Sequence, residues 1–179
     1  MKIALTGHTS GIGKALYDIL SVDNEVVCFS RTNGYDIGKV RIMEQVVQES
    51  IDCDVFINNA YAGISQVHIL NTLWNFWKRD ETKTIVNVSS LSKYPGISGN
   101  ESGYSAHKAA LSHQALLLMF NGSRKCRMIN VNPGWVDTKM TKKVTANKLT
   151  APECAEQIAY AIKLPQHIEI GELSLWRPY

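Results

Sequence analysis

No two of the cysteines Cys28, Cys53, Cys126 and Cys154 form a C-x-x-C pair, and all lie far apart in the chain. That spacing excludes a zinc knuckle and a disulfide framework, so no metal site is expected. Isolated thiols suit a reducing compartment, which makes the cytoplasm the expected location. Long hydrophobic runs are missing as well. The longest, near Ala115 to Phe120, is far too short to cross a bilayer. The opening Met1-Lys2-Ile3-Ala4-Leu5-Thr6-Gly7 reaches a glycine before a signal-peptide apolar region can form. Neither export nor a membrane partner is expected. Charge of one sign is scarce: the net charge is +3, and apart from Lys139, Lys142, Lys143 and Lys148 the basic residues are scattered. A nucleic-acid binder carries a denser basic stripe with interleaved aromatics, so no nucleic-acid partner is expected. What remains is an ordinary globular composition, 45% hydrophobic and 20% charged, over 179 residues. That length buries a core without staples, and one domain over residues 1–179 is expected.

Within this chain the stretch Tyr104-Ser105-Ala106-His107-Lys108 carries chemistry. On a helix the (i, i+4) spacing stacks Tyr104 and Lys108 on one face. A phenol titrates near about 10, and a neighbouring ammonium favours phenolate, so Lys108 can tune Tyr104 as a proton donor or acceptor. Residues 2–6 read as an apolar strand, followed by Gly7-His8-Thr9-Ser10-Gly11-Ile12-Gly13 and an amphipathic segment, Lys14 to Leu20. Strand, glycine turn and helix in that order form a nucleotide-binding element: Gly7 permits the turn, Gly11 lets amides approach a pyrophosphate and Gly13 allows close packing.

A second strand, Glu25 to Phe29, ends at Ser30-Arg31, where a dinucleotide's adenosine ribose is read. Arg31 without a carboxylate beside it favours the 2′-phosphate of NADP over the 2′-hydroxyl of NAD. Only Thr32 to Tyr35 separate this strand from Asp36-Ile37, too few for a parallel crossover, so a third strand beside the second is not expected. After a helix through Val40, Met43, Val46 and Val47, the strand Val55-Phe56-Ile57 ends in Asn58-Asn59-Ala60, polar amides suited to a ligand crevice. From Ser65 to Arg79 the helical spacing of Val67, Leu70, Leu73, Trp74 and Trp77 assigns the tryptophans to the core. Asn71 and Asn75 share the opposite stripe, and spacing does not separate them. Ser89-Ser90 follow the strand Thr84 to Val88 and precede a Gly- and Ser-rich loop through Gly103; either serine can donate to a carbonyl beside the phenol. The Tyr104 helix stops at Asn121-Gly122. A strand ending in Asn132-Pro133-Gly134-Trp135-Val136-Asp137-Thr138, a helix starting near Thr150-Ala151-Pro152-Glu153 and a strand from Ile168 to Trp176 complete the chain.

Taken in order, Thr6-Gly7-x-x-x-Gly11-Ile12-Gly13, Asn58-Asn59-Ala60, Ser90, Tyr104-x-x-x-Lys108 and Pro133-Gly134-x-x-x-Thr138 resemble the short-chain dehydrogenase/reductase family over nearly the whole chain. The resemblance implies an α/β fold, a Rossmann-type doubly wound parallel sheet, here with six strands because the usual third strand and its preceding helix are missing. It also implies catalytic roles: Tyr104 as general acid or base, Ser90 polarising the carbonyl, Lys108 on the nicotinamide ribose and depressing the Tyr104 pKa, and Asn71 continuing a proton relay. Gly7, Thr9, Ser10, Gly11 and Ile12 would surround the phosphates. Ser30, Arg31, Asp36, Asn59 and Ala60 would lie on the adenosine side, and Pro133, Gly134, Val136 and Thr138 at the nicotinamide. The implied activity is hydride transfer between NADP(H), or NAD(H) as the alternative cofactor, and a small-molecule carbonyl or secondary alcohol. The competing reading is a cofactor-binding sensor or interaction module without turnover. Tyr61 stands where the family usually has glycine, either crowding the cofactor or moving the loop. The shortened Ser65–Arg79 helix removes part of the surface through which relatives dimerise, so a homo-oligomer does not follow from the resemblance. The four lysines between Lys139 and Leu149 read as a solvated basic loop before an anion site.

Overall fold

The computed structural model describes residues 1–97 and 103–178; residues 98–102 of the expected Gly- and Ser-rich loop lie outside the described residues. Strands and helices alternate: β1 (Lys2–Thr6), α1 (Gly11–Leu20), β2 (Glu25–Phe29), α2 (Val40–Ser50), β3 (Val55–Asn58), α3 (Ser65–Trp77), β4 (Thr84–Val88), α4 (Tyr104–Met119), β5 (Arg127–Pro133), α5 (Ala151–Lys163) and β6 (Glu172–Leu175). All strands pair in parallel in a six-stranded sheet of order β2-β1-β3-β4-β5-β6. The expected architecture, with no strand between Arg31 and Lys39 and with β2 at an open edge, is the one observed.

The apolar strand positions alternate between two layers, as the period-two pleat demands. Ala4, Phe56, Ile85 and Met128 pack under α2, α3 and α4, with Trp74 and Trp77 in the same cluster. Ile3, Leu5, Val55, Ile57, Val86, Ile129 and Val131 pack under α1 and α5. Both tryptophans are therefore core, and the Trp77 indole donates to the Ile51 carbonyl at 3.1 Å. α5 begins on a capping box in which Thr150 and Glu153 satisfy each other's backbone amides. Its last turn is closed by buried Arg127, whose guanidinium donates to the carbonyls of Ile162 at 2.6 Å and Leu164 at 2.8 Å.

One boundary differs from the sequence reading. The last strand spans Glu172–Leu175, not Ile168 to Trp176, because Glu169 is turned to an ion pair with Arg124 and to the Met128 amide. The chain joins the sheet only after that clasp. The order reverses at β1, with β2 on one side and β3 on the other, so the carboxyl ends of β1 and β3 open a crevice at the switch point.

Candidate functional site

The glycine turn after β1 forms one end of this crevice. Gly7 adopts φ 78° and Gly11 φ 54°, a region that L side chains rarely enter. A β-carbon on Gly13 would fall 2.0 Å from the Gly7 carbonyl oxygen. The turn therefore folds back against the first turn of α1, whose N-terminal amides and dipole face the crevice, lined there by Thr9, Ser10 and Ile12. This glycine-built cradle fits a pyrophosphate. Gly13→Ala forces a β-carbon against backbone, and we expect at least the upper part of the usual overpacking cost, about 3 kcal/mol. Thermal denaturation and NADPH titration check it, with melting temperature and affinity falling together.

The walls are held by short polar contacts. Buried Thr6 receives the amides of Asn59 at 2.9 Å and Ala60 at 3.0 Å on its hydroxyl, and the Asn59 side chain donates to the Thr6 carbonyl at 2.9 Å. Asn59 thus clasps the ends of β1 and β3 across the switch point. At the tip of β2, the Ser30 hydroxyl meets Thr32 and Asn33 within a 3-10 turn, and exposed Arg31 forms none of the ion pairs among the described residues. Asp36 accepts from the Gly38 amide at 3.2 Å and lines the same crevice.

The far end gathers Ser90, Tyr104 and Lys108. Buried Ser90 follows β4 and is hydrogen-bonded with the Tyr104 side chain. Ser89 turns inward to the Lys108 carbonyl at 3.0 Å and Ser112 at 2.8 Å, which leaves Ser90 as the serine hydroxyl beside the phenol. Lys108 is 3% exposed, and its Nζ donates to the Gln66 side-chain oxygen and to the Val88 carbonyl, each at 2.7 Å. Burial pulls its ammonium down from 10.5 to about 7. Burial lifts the Tyr104 phenol above its ordinary value; the Ser90 hydrogen bond opposes this and Tyr61 adds to it. The net shift runs opposite to the depression expected from a neighbouring ammonium. A lysine titrating near 7 is only partly charged at neutral pH, and its Nζ is held by other acceptors.

Asn71 requires correction. It is exposed, accepts from the Gln114 side chain at 2.8 Å and does not line the crevice. Gln66, five residues earlier on the buried face, is the α3 amide that reaches Lys108; it also donates to the carbonyls of Asn58 at 2.7 Å and Val88 at 3.2 Å. Gln66 sits on the buried stripe with Ile69, Leu70 and Leu73, and a polar residue on that stripe was the signal available in the sequence. Tyr61 borders the crevice: its ring packs edge-on against Tyr104 with centroids 4.8 Å apart, and its hydroxyl meets His107 Nδ1 at 3.0 Å.

The remaining candidates follow β5. The Gly134 amide donates to the Leu175 carbonyl at 2.7 Å, Val136 is buried, and the Thr138 methyl lies 3.0 Å from where a Gly11 β-carbon would stand. Pro133, Gly134, Val136 and Thr138 all face the crevice. Beneath it runs a row of polar side chains in register across four strands: Asn58, Asn87, Asn130 and Glu172. Asn58 donates to Asn87 at 3.1 Å and Asn130 to Glu172 at 3.0 Å, while Ser112 of α4 receives Asn130 from above. Apart from Asn71, every residue that the sequence reading named for catalysis or cofactor binding borders one continuous crevice.

The sequence model of the family described as short chain dehydrogenase matches residues 63–149. An uncharacterized oxidoreductase from Staphylococcus epidermidis is 23% identical, with 97% of this chain and 96% of that protein covered. The fold matches a 3-alpha-hydroxysteroid dehydrogenase from Pseudomonas sp. B-0831, solved with NADH, at TM-score 0.80 and 21% identity, covering 98% of this chain and 95% of the other. A short chain dehydrogenase from Burkholderia cenocepacia, solved with NADP, matches at TM-score 0.83 and 18% identity, covering 98% and 88%.

Proposed function

We propose that the chain is a shortened member of the short-chain dehydrogenase/reductase family and an oxidoreductase of that type, that it is NADP(H)-dependent, and that it interconverts a carbonyl with a secondary alcohol, Tyr104 exchanging the proton. The observation that carries the proposal is the convergence of Ser90, Tyr104 and Lys108 at the end of a crevice that begins at the glycine turn. A bound nicotinamide supplies or accepts the hydride.

The protein's own groups do the rest. Ser90 donates a hydrogen bond to the substrate oxygen and stabilises the charge that develops there. Tyr104 delivers the proton to that oxygen, and a phenol kept protonated by burial is in the correct state for reduction at neutral pH. Lys108 donates from below, and Gln66 holds its ammonium in place. Gly7, Gly11 and the α1 N-terminus receive the pyrophosphate, and Asn59 keeps that turn docked on β3.

Arg31 is proposed to read the 2′-phosphate, supported by its exposure at the tip of β2 and by the absence of an ion-pair partner among the described residues. A hydrogen bond to a charged group is worth roughly 1.5–3 kcal/mol. Arg31→Asp should therefore shift the ratio of NADPH to NADH dissociation constants by about 10–100-fold towards NADH. Fluorescence titration of both cofactors on the purified protein tests it. Equal preference in the variant and the parent would place the phosphate contact elsewhere.

A further inference from the structure

Beside the cofactor crevice, and sharing Ser90, Tyr104 and Gly134 with it, lies a second and larger cavity of about 1370 Å³. Its walls are large and apolar: Leu91, Tyr94, Ile97, Trp135, Val144 and Trp176. Several remain open to solvent, Tyr94 at 46%, Ile97 at 47% and Trp176 at 60%. Large apolar side chains left wet around one concavity mark a surface that something apolar covers.

The charges around it argue the same way. Arg177 is the charged side chain on its wall among the described residues, and it is tied to Glu153 at 2.9 Å. Of the lysines in the 139–149 segment, Lys139 borders the cofactor crevice instead, and Lys148 donates to the Thr141 carbonyl at 3.0 Å. Lys142 and Lys143 are on neither wall. An anionic substrate would enter a hydrocarbon cavity without a free cation to replace its lost hydration.

Resting on the proposed function, we infer that the site takes a neutral carbonyl compound with a bulky hydrocarbon body. The carbonyl oxygen lies between the Ser90 and Tyr104 hydroxyls, and the body extends along Leu91 and Ile97 towards Trp135 and Trp176. Met140, exposed, borders both cavities.

The test compares NADPH-dependent reduction of three methyl ketones: butanone, methyl nonyl ketone, and the same nonyl chain ending in a carboxylate. The expected result is a KM for methyl nonyl ketone at least about 100-fold below that for butanone, since each buried methylene adds severalfold. The carboxylate compound should bind at least about 10-fold worse than its neutral counterpart. Trp176→Ala should raise the KM for methyl nonyl ketone about 10-fold more than that for butanone, with NADPH affinity as the control for folding. Preference for the carboxylate compound, indifference to chain length, or an equal effect of Trp176→Ala on both ketones would each overturn the inference. Those results would leave the oxidoreductase reading intact. If no ketone is reduced, titration of tryptophan emission with methyl nonyl ketone in the presence of NADP separates the two claims. Saturable binding supports the cavity while the proposed activity fails, and lack of binding overturns the cavity as well.

Discussion

Tyr104→Phe is expected to lower kcat by about 10²–10⁴-fold, the range that a positioned general acid contributes, with the NADPH dissociation constant changed less than about twofold. The substitution deletes one hydroxyl and leaves the ring, so the edge-on packing against Tyr61 survives. Lys108 keeps its two acceptors, Gln66 and Val88, and the cradle around Gly7 is untouched. Single-turnover reduction with prebound NADPH measures the chemical step alone. A variant retaining more than about a tenth of the parent rate would assign the proton to another group. Cofactor binding that persists while a partner interaction still responds to NADPH would favour the sensor reading.

The second large effect concerns Gln66→Leu. The glutamine is one of two acceptors on a fully buried ammonium and the donor to two buried carbonyls. Leucine fills similar space but leaves Lys108 with Val88 alone and strips both carbonyls of that donor. Stripping two buried carbonyls of their donor costs about 3 kcal/mol, which for a chain of this size lowers the melting temperature by about 6–12 °C. The Lys108 pKa should fall below its value of about 7, because a contact that favours the charged form has gone. The double variant Gln66→Leu with Lys108→Met should recover part of the stability and none of the activity, since the charge is then absent.

The same lysine gives the stability a pH dependence of defined sign. Its folded pKa of about 7 lies below the unfolded value of 10.5, so between these values the unfolded chain holds more protons. Stability from this group is complete above about 10.5, is lost as pH falls towards 7, and is flat below. Lys108→Met removes that slope, and the difference in melting temperature between the two proteins, followed from pH 7 to 9, reads it directly.

The layered architecture was legible in the sequence because it rests on local signals. The spacing of Gly7, Gly11 and Gly13 followed an apolar strand, and the four residues Thr32 to Tyr35 before Asp36-Ile37 left no room for another crossover. Chain order did the rest. The amide that meets Lys108 was not legible: Asn71 carried the expected residue type, whereas Gln66 had the required depth. Helical periodicity names a face, and the residue that projects from its first turn towards β4 depends on how α3 enters. The sign of the Tyr104 shift was hidden for a related reason. A (i, i+4) lysine is near in sequence terms, but its Nζ is committed to Gln66 and Val88, and burial outweighs it. Thr6, read only as the end of the first strand, proved to be the post to which Asn59 and Ala60 are fastened.

The asparagine row under the crevice bears on how the sheet assembles. Parallel strands have no hairpins to fix their alignment, and the apolar residues of β3, β4 and β5 pack almost as well one step out of place. Asn58, Asn87, Asn130 and Glu172 break that degeneracy, because only one alignment brings all four side by side beneath Gln66 and Ser112. A strand that docks out of step strands an amide in hydrocarbon on one face or the other. The row would thus act as a set of index marks that favours the native alignment of these strands over a slipped one.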